Sequence, residues 1–364
     1  MTRILIVHPR PTRGGFSAVL SQAKELLAHG DFEITIAVAD GPRISEIPGG
    51  VNVVLLEHRL SSFSGIFELK RVLRTVRPDV LHLHGRKAGL IGRLSVRQRD
   101  RPSVLYTPHG TVWMGSSWSR STANDTVERL LLRRTDYVLC VSRAEQSDWV
   151  RRDPSSRVKY FPNLIDLDTV DVAPAVDRHD DGSVDVLVPS GYSPQKRLSV
   201  VVEALALMAE PRPKVLIAGA ADSRKEIDFV RELATSLRVT DSLTFGGNVA
   251  KIRELMAEAR VVVLPSYSEG MPIVGQEAIL AGAHVAWSAI PPHFELFADC
   301  GEGFWTAEEL ARLLTLPRVV GSVSARRTWL ARHQSEAKAI RNKFWTELAI
   351  NAHGASIDEP LQDG

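Results

Sequence analysis

The sequence predicts an α/β protein built as two parallel-sheet halves, and three observations predict it. Short apolar segments of strand length alternate with helical patterns of about 10–15 residues, the mark of βαβ units. The alternation breaks at "FPNLIDLDTVDVAPAVDRHDDGSVD", a stretch rich in Asp, Pro and Ala with weak periodicity, and then restarts. The chain has 364 residues, more than one hydrophobic core ordinarily serves.

In the first half "RILIV" reads as a buried strand. "RPTRGG" turns the chain into the helix "FSAVLSQAKELLAHG", stopped by Gly30. "FEITIAVA" and "NVVLLE" are strands. "SGIFELKRVLRTVRP" has amphipathic helical spacing and stops at Pro78, and "DVLHLHG" returns as a strand. "GLIGRLSVRQR" is a helix, "SVLYTPHG" a strand with its loop, "VERLLLRRT" a helix and "DYVLCVS" a strand. In the second half the strands are "VDVLVPS", "KVLIAGA", "SLTFGG" and "RVVVLPS". The helices between them are "KRLSVVVEALALMAE", "RKEIDFVRELATSLR" and "VAKIRELMAEA". "EGMPIVGQEAILAG" then opens a helix and leads into another short strand. The chain closes with the amphipathic helix "QSEAKAIRNKFWTELAIN", carrying Phe344, Trp345 and Leu348 on one face, and a polar tail. The expected domains are 1–167 and 168–333, both Rossmann-like, with a ligand cleft outside the carboxyl ends of the two sheets.

Apolar content of 44% and charged content of 24% are those of a soluble globular protein. The apolar runs are strand-sized, and "MTRILIVHPRP" goes straight into a strand rather than a leader segment. The two cysteines, Cys140 and Cys300, have no partner spacing for zinc or a redox pair, so a reduced cytoplasmic setting is expected. Residues 1–170 hold 25 Lys and Arg against 17 Asp and Glu, while the remainder holds 20 against 26. The basic excess lies in "ELKRVLRTVRP" and "GRKAGLIGRLSVRQRDRP". It fits either a solvated arginine-rich face or an anionic membrane surface. No nucleic-acid partner is expected.

Several stretches carry chemistry. Gly14 and Gly15 follow the first strand and open a helix, where backbone amides and the helix dipole attract phosphate; alone, they mark only a tight βα connection. The spacing is not G-x-G-x-x-G, which argues against a dinucleotide-dependent oxidoreductase. His109 in "YTPHGT" sits at the carboxyl end of a strand, either as a loop histidine or as a neutral imidazole bonded to a sugar hydroxyl. His82 and His84 alternate along one strand. With no further metal ligand near them, they read as structural or cleft-lining. Lys196 and Arg197 stand at a helix start, where a cation meets a diphosphate or is simply solvated. Pro272 suits a first helical turn, leaving the amides of Ile273 and Val274 unbonded at the helix start. Glu269 lies beside those donors and Glu277 about a turn past them, each able to accept from paired hydroxyls. Phosphate on a helix start, flanked by hydroxyl-bearing rings, describes a nucleotide-sugar. "DLD" at 166–168 imitates a metal-binding Asp-x-Asp, but its place in the hinge sets that reading aside.

At these residues the chain carries a resemblance. "EGMPIVGQEAILAG" resembles the E-x7-E signature of retaining GT-B glycosyltransferases, in particular glycosyltransferase family 4. "ILIVHPRPTRGGFSAVLSQAKELLAHG" is similar to that family's first strand, Gly-Gly loop and helix. "DVLHLHGRKAGLIGRL" with "YTPHGT" resembles members that build bacterial surface polysaccharides. "VSRAEQ", "FPNLID" and "SPQKR" follow in the family's order, so the resemblance spans roughly residues 3 to 350.

The resemblance implies a GT-B fold whose last helix, 334–352, crosses back onto the N-terminal, acceptor-side domain. It implies that Gly14 and Gly15 approach the diphosphate and the sugar, and that His109 contacts the sugar near its C6 oxygen. Lys196, with Arg197 beside it, neutralises the diphosphate. Glu269 bonds the C3/C4 hydroxyls, Glu277 holds the ribose, and Asn248 and Val249 flank the base. Met271, Ile273 and Val274 complete the donor site. The implied reaction is metal-independent transfer, with retention of configuration, from a nucleoside-diphosphate sugar, UDP-linked by expectation. The acceptor would be a glycan or polyprenyl-linked glycan, no cofactor is needed, and the protein would be cytoplasmic or peripheral on the inner membrane face. One departure stands out: the family's Gly-Arg before "xSPxK" is here Ser190 and Gly191. A lost charge-assisted bond of about 1.5–3 kcal/mol slows transfer by roughly one to two orders of magnitude. The departure keeps open a GT-B binding subunit that assists another transferase. A UDP-N-acetylglucosamine 2-epimerase shares the two-domain layout.

Overall fold

In the computed structural model the described residues are 1–11, 14–57, 60, 64–96, 101–110, 118–165, 184–219, 224–247, 249, 251–297, 301–316 and 323–352. They divide into two units, one of residues 1–164 with 334–364 and the other of residues 165–333. The expected boundary at 167/168, Asp166 to Asp168, Asn248 and Cys300 lie outside the described residues.

The first unit is a seven-stranded, wholly parallel sheet. Its strands are β1 (Thr2–His8), β2 (Phe32–Ala39), β3 (Asn52–Leu56), β4 (Val80–His84), β5 (Ser103–Thr107), β6 (Tyr137–Cys140) and β7 (Val158–Tyr160). Their order is β3-β2-β1-β4-β5-β6-β7, so the winding reverses between β1 and β4. Ile4 and Ile6 pack toward helix α1 (Gly15–His29), while Leu5 and Val7 pack toward α2 (Ser64–Val76) and α3 (Gly85–Ser95). This two-sided burial is why the strand reads as an unbroken apolar run rather than an alternating one. Helices α4 (Trp118–Leu132) and α5 (Arg143–Val150) complete the unit.

The final helix, numbered α12 below, runs Val323–Ala352, and its last two thirds belong to this unit. Phe344, Trp345, Leu348 and Ala349 join the α1 side of the core, with Trp345 edge-on to Phe161 and Phe32. Arg341 is almost fully buried beside them. It pairs with Glu25 of α1, donates to the Pro162 carbonyl at 3.2 Å and lies over the Phe161 ring. The crossing helix expected from the sequence is therefore anchored by an aromatic cluster and one buried ion pair.

The second unit repeats the plan with β8 (Val186–Val188), β9 (Val215–Ala218), β10 (Leu243–Gly247), β11 (Val261–Leu264), β12 (Val285–Ser288) and β13 (Glu302–Phe304). All pairs are parallel, in the order β10-β9-β8-β11-β12-β13, with the reversal between β8 and β11. Its helices are α6 (Ser199–Ala206), α7 (Arg224–Ser236), α8 (Ile252–Glu258), α9 (Ile273–Ala281), α10 (Pro291–Phe297) and α11 (Ala307–Thr315), followed by α12. In the second unit the chain leaves β8 and β11 as loops; in the first it leaves β1 as a turn into α1, while β4 runs straight into α3. The carboxyl ends of strands at such a reversal are where parallel sheets bind ligands.

The basic excess of the first unit is not all on the surface. Arg93 is fully buried, paired with Glu128 at 2.7 Å and stacked over Tyr106 at 4.1 Å. Among the described residues, no helix is long and apolar enough to cross a membrane.

Candidate functional site

In the second unit the β8 and β11 loops are tied together strand-end to strand-end. The Tyr267 amide donates to the Gln195 carbonyl at 3.1 Å, and the Gln195 side chain donates to the Ser268 carbonyl at 2.5 Å. This latch sets Lys196, the last residue of a 3-10 turn, against Glu269, with Nζ 2.6 Å from Oε1. Burial pushes the Glu269 carboxyl up. The Lys196 charge, with hydrogen bonds from Lys196 and Ser266, outweighs it and holds the group below its ordinary value. Buried His293 is near enough to act on this carboxylate, with its Nδ1 2.9 Å from the Ser288 carbonyl; burial depresses it to about 4, so it is neutral at physiological pH.

Three residues beyond Glu269, Pro272 is the cap of α9, one position earlier than a first-turn proline. Its carbonyl accepts from Gly275 and Gln276, so the amides of Ile273 and Val274 precede the first intrahelical bond. Met271 is buried under this turn. Glu277, the fifth residue of α9, is met by Arg253 of α8, whose Nη2 lies 2.9 Å from Oε1. Sequence reasoning missed Arg253. Its signal was a cation on the helix that follows "FGG", facing the second glutamate of the E-x7-E pair. Val249 lies just beyond the carboxyl end of β10.

Arg197 does not join Lys196. It adopts a left-handed backbone (φ 47°), donates to the Trp305 carbonyl at 2.6 Å and lies over the Trp305 ring. Ser190 and Gly191, where the family's Gly-Arg is expected, pass so close to Gly219 that a side chain there would run into the Ser190 carbonyl.

In the first unit Gly14 caps α1 with φ 77°, a conformation that favours glycine, and Gly15 is the first helical residue. A methyl on Gly15 would sit 2.9 Å from Nε2 of His8, so this turn runs close over the end of β1. His109 follows β5 with φ 60°, a strained conformation for a residue with a side chain. The next amide, Gly110, donates to Glu145 at 2.6 Å, and the other Glu145 oxygen accepts from Val141 at 2.7 Å. Glu145 is itself fixed by the Ser142 cap of α5, at 3.0 Å from its amide. "VSRAEQ" is thus the clamp on the His109 turn, and the four-residue capping pattern Ser142 to Glu145 was its legible signal.

His109 also heads a chain of side chains. Its Nε2 is 2.9 Å from Nδ1 of His84, and Nε2 of His84 is 3.0 Å from Oε1 of Gln22. Nε2 of Gln22 is 2.8 Å from Nδ1 of His82, whose Nε2 is 2.8 Å from the Thr107 hydroxyl. Both ring nitrogens of His82 and His84 are spent on these bonds. Burial, then the neighbouring imidazoles and Arg341, pushes their pKa values well down, and His109 falls to about 3. All three are neutral imidazoles at physiological pH.

The family described as "Glycosyltransferase Family 4" matches residues 13–169, and that described as "Glycosyl transferases group 1" matches residues 171–315. The chain is 24% identical over 307 residues to the Escherichia coli UDP-Gal:alpha-D-GlcNAc-diphosphoundecaprenol alpha-1,3-galactosyltransferase, covering 77% of this chain and 78% of that protein. It is 30% identical over 253 residues to the Mycobacterium tuberculosis alpha-maltose-1-phosphate synthase, covering 60% of this chain and 62% of that one. Among solved structures it is similar to Anabaena HepE in complex with UDP and glucose, with a TM-score of 0.73, 19% identity and coverage of 96% and 100%. It is also similar to the sucrose-phosphate synthase of Thermosynechococcus elongatus, with a TM-score of 0.71, 19% identity and coverage of 97% and 98%.

Proposed function

This chain belongs to the family 4 glycosyltransferases of GT-B fold, and from that premise we propose that it moves a sugar, with retention of configuration, from a UDP-sugar to a glycan or polyprenyl-linked glycan. The observation that carries the reading is the Lys196–Glu269 pair, latched beside the unbonded amides of α9. Lys196 and those amides stabilise the departing diphosphate electrostatically. Glu269, held ionised, accepts from hydroxyls of the transferred sugar. Glu277, oriented by Arg253, takes the ribose, and Val249 flanks the base. Gly14 and Gly15 give the donor close approach to backbone, and neutral His109 bonds a sugar hydroxyl. The leaving diphosphate removes the acceptor's proton, so the protein supplies no two-carboxylate pair.

The choice of UDP and of a lipid-linked acceptor is supported by two comparisons. HepE is described with UDP and glucose, and the E. coli relative is named for a UDP-galactose donor and a diphosphoundecaprenol-linked acceptor. A lipid-linked acceptor places the protein at the inner membrane face, where its basic first unit meets anionic lipid. Co-sedimentation with vesicles of anionic phospholipid, against zwitterionic ones, tests that step; equal binding to both removes it. Purified protein incubated with a panel of UDP- and GDP-sugars tests the donor. Slow nucleotide release from UDP-sugars is expected; release from GDP-sugars alone overturns the choice of nucleotide.

A further inference from the structure

The chain of side chains behind His109 has a direction. A Gln Oε1 can only accept and its Nε2 can only donate. With Oε1 of Gln22 toward His84, the proton of that bond lies on Nε2 of His84. His84 is neutral, so its Nδ1 is a lone pair, and the 2.9 Å bond to His109 draws its proton from Nε2 of His109. On the other arm, Nε2 of Gln22 donates to Nδ1 of His82, and His82 passes its own Nε2 proton to Thr107. Every bond runs the same way, and one amide sets the polarity of all of them.

The sequence builds this on purpose-fit positions. His82 and His84 are two apart on β4 and so face one side of the sheet. Helix α1 covers that side with Phe16, Val19, Leu20, Ala23 and Leu26, and the polar member of its buried face in reach is Gln22, 1% exposed. The His84 and His109 rings stack with centroids 5.1 Å apart. The charged and titratable groups around the cluster are His8, with its ring 6.5 Å from that of His84, and Arg341, neutralised by Glu25.

We propose that Gln22 is a positioning residue: acting through His84, it locks His109 in the tautomer that carries its proton on Nε2 and offers Nδ1 as a hydrogen-bond acceptor. Under the function proposed above, on which only the catalytic consequence rests, His109 then meets a group that donates a proton. The site takes a sugar hydroxyl there and disfavours a carboxylate.

Histidine-labelled full chain, without donor, gives the direct test through two-bond 15N–1H correlations at pH 7.5. His109, His84 and His82 are expected as single neutral tautomers with the proton on Nε2. A cationic His109, or one protonated on Nδ1, overturns the proposal with no variant needed. In Gln22→Leu, checked for fold by circular dichroism, His84 loses its acceptor and His109 is expected to move to the other tautomer or to a mixture. An unchanged His109 spectrum overturns the proposal. UDP-sugar turnover in that variant is expected to fall about tenfold in kcat, one hydrogen bond's worth, with KM for the donor unchanged. A moved tautomer with unchanged kcat leaves Gln22 its role and instead removes His109 from transfer, which separates the two ideas.

Discussion

Replacing Lys196 with Met keeps the aliphatic stem and removes the charge, leaving Glu269 facing a neutral group. The side chains of Lys196 and Glu269 are 27% and 13% exposed, so the pair is mostly but not fully withdrawn from water. Breaking a fully buried pair from one side costs about 3–5 kcal/mol; partial solvent access brings the expected loss to about 2–3 kcal/mol at pH 7.5. The pH dependence follows from the direction of the Glu269 shift. In the parent protein its folded pKa lies below the ordinary 4.5, so its contribution is present above that value and lost as pH falls through the lower, folded one. In Lys196→Met burial is the leading influence left, and it raises the carboxyl. The penalty is then present at neutral pH and is relieved as acid protonates the group. Urea unfolding of both proteins from pH 7.5 to pH 4 should show the gap close progressively below about pH 5. His293 titrates in the same window and is depressed in part by Lys196, so its response is separated by the Lys196→Met, Glu269→Gln double variant, in which His293 alone of the three titrates. Adding Glu269→Gln to Lys196→Met should recover most of the loss at pH 7.5. A gap that is the same at every pH, or no recovery in the double variant, would mean that Lys196 does not hold the Glu269 charge.

Lys196→Ala and Glu269→Ala should each lower sugar transfer by roughly two orders of magnitude while circular dichroism is unchanged; full rate in both misplaces the site. Gly219→Ala should weaken UDP binding by calorimetry about tenfold, because its methyl displaces the Ser190–Gly191 loop that precedes Lys196. Arg341→Ala should cost about 2–4 kcal/mol in urea unfolding, since it strands partly buried Glu25 and frees the Pro162 carbonyl.

Much of this was legible in the sequence, for physical reasons. β2 coincides with "FEITIAVA" and α7 begins where "RKEID" begins, since long periodic segments with clear stops define themselves. What escaped was short or lacked an apolar signal. β7 and β13 are edge strands of three residues each, and each gives the core a single side chain, Val158 and Phe304, too few to show a period. α11 was hidden although Thr306 and Glu309 form a capping box ahead of it. α4 begins at Trp118, nine residues before "VERLLLRRT", in a run of Ser, Thr, Asn and Asp without helical apolar spacing. At the site the sequence placed Lys196, Glu269, Glu277 and His109 at strand ends and helix starts. It could not show what faces them. Arg253, Glu145 and Gln22 act through contacts 24 to 62 residues away along the chain, which no local pattern encodes.

Under the proposed function Lys196, Glu269 and the start of α9 hold an activated sugar by its diphosphate. Isothermal titration of UDP into the full chain and into Lys196→Ala tests it most directly. Saturable binding to the parent protein is expected, weakened at least tenfold in the variant. Equal affinity for both, or no binding to the parent, would contradict it.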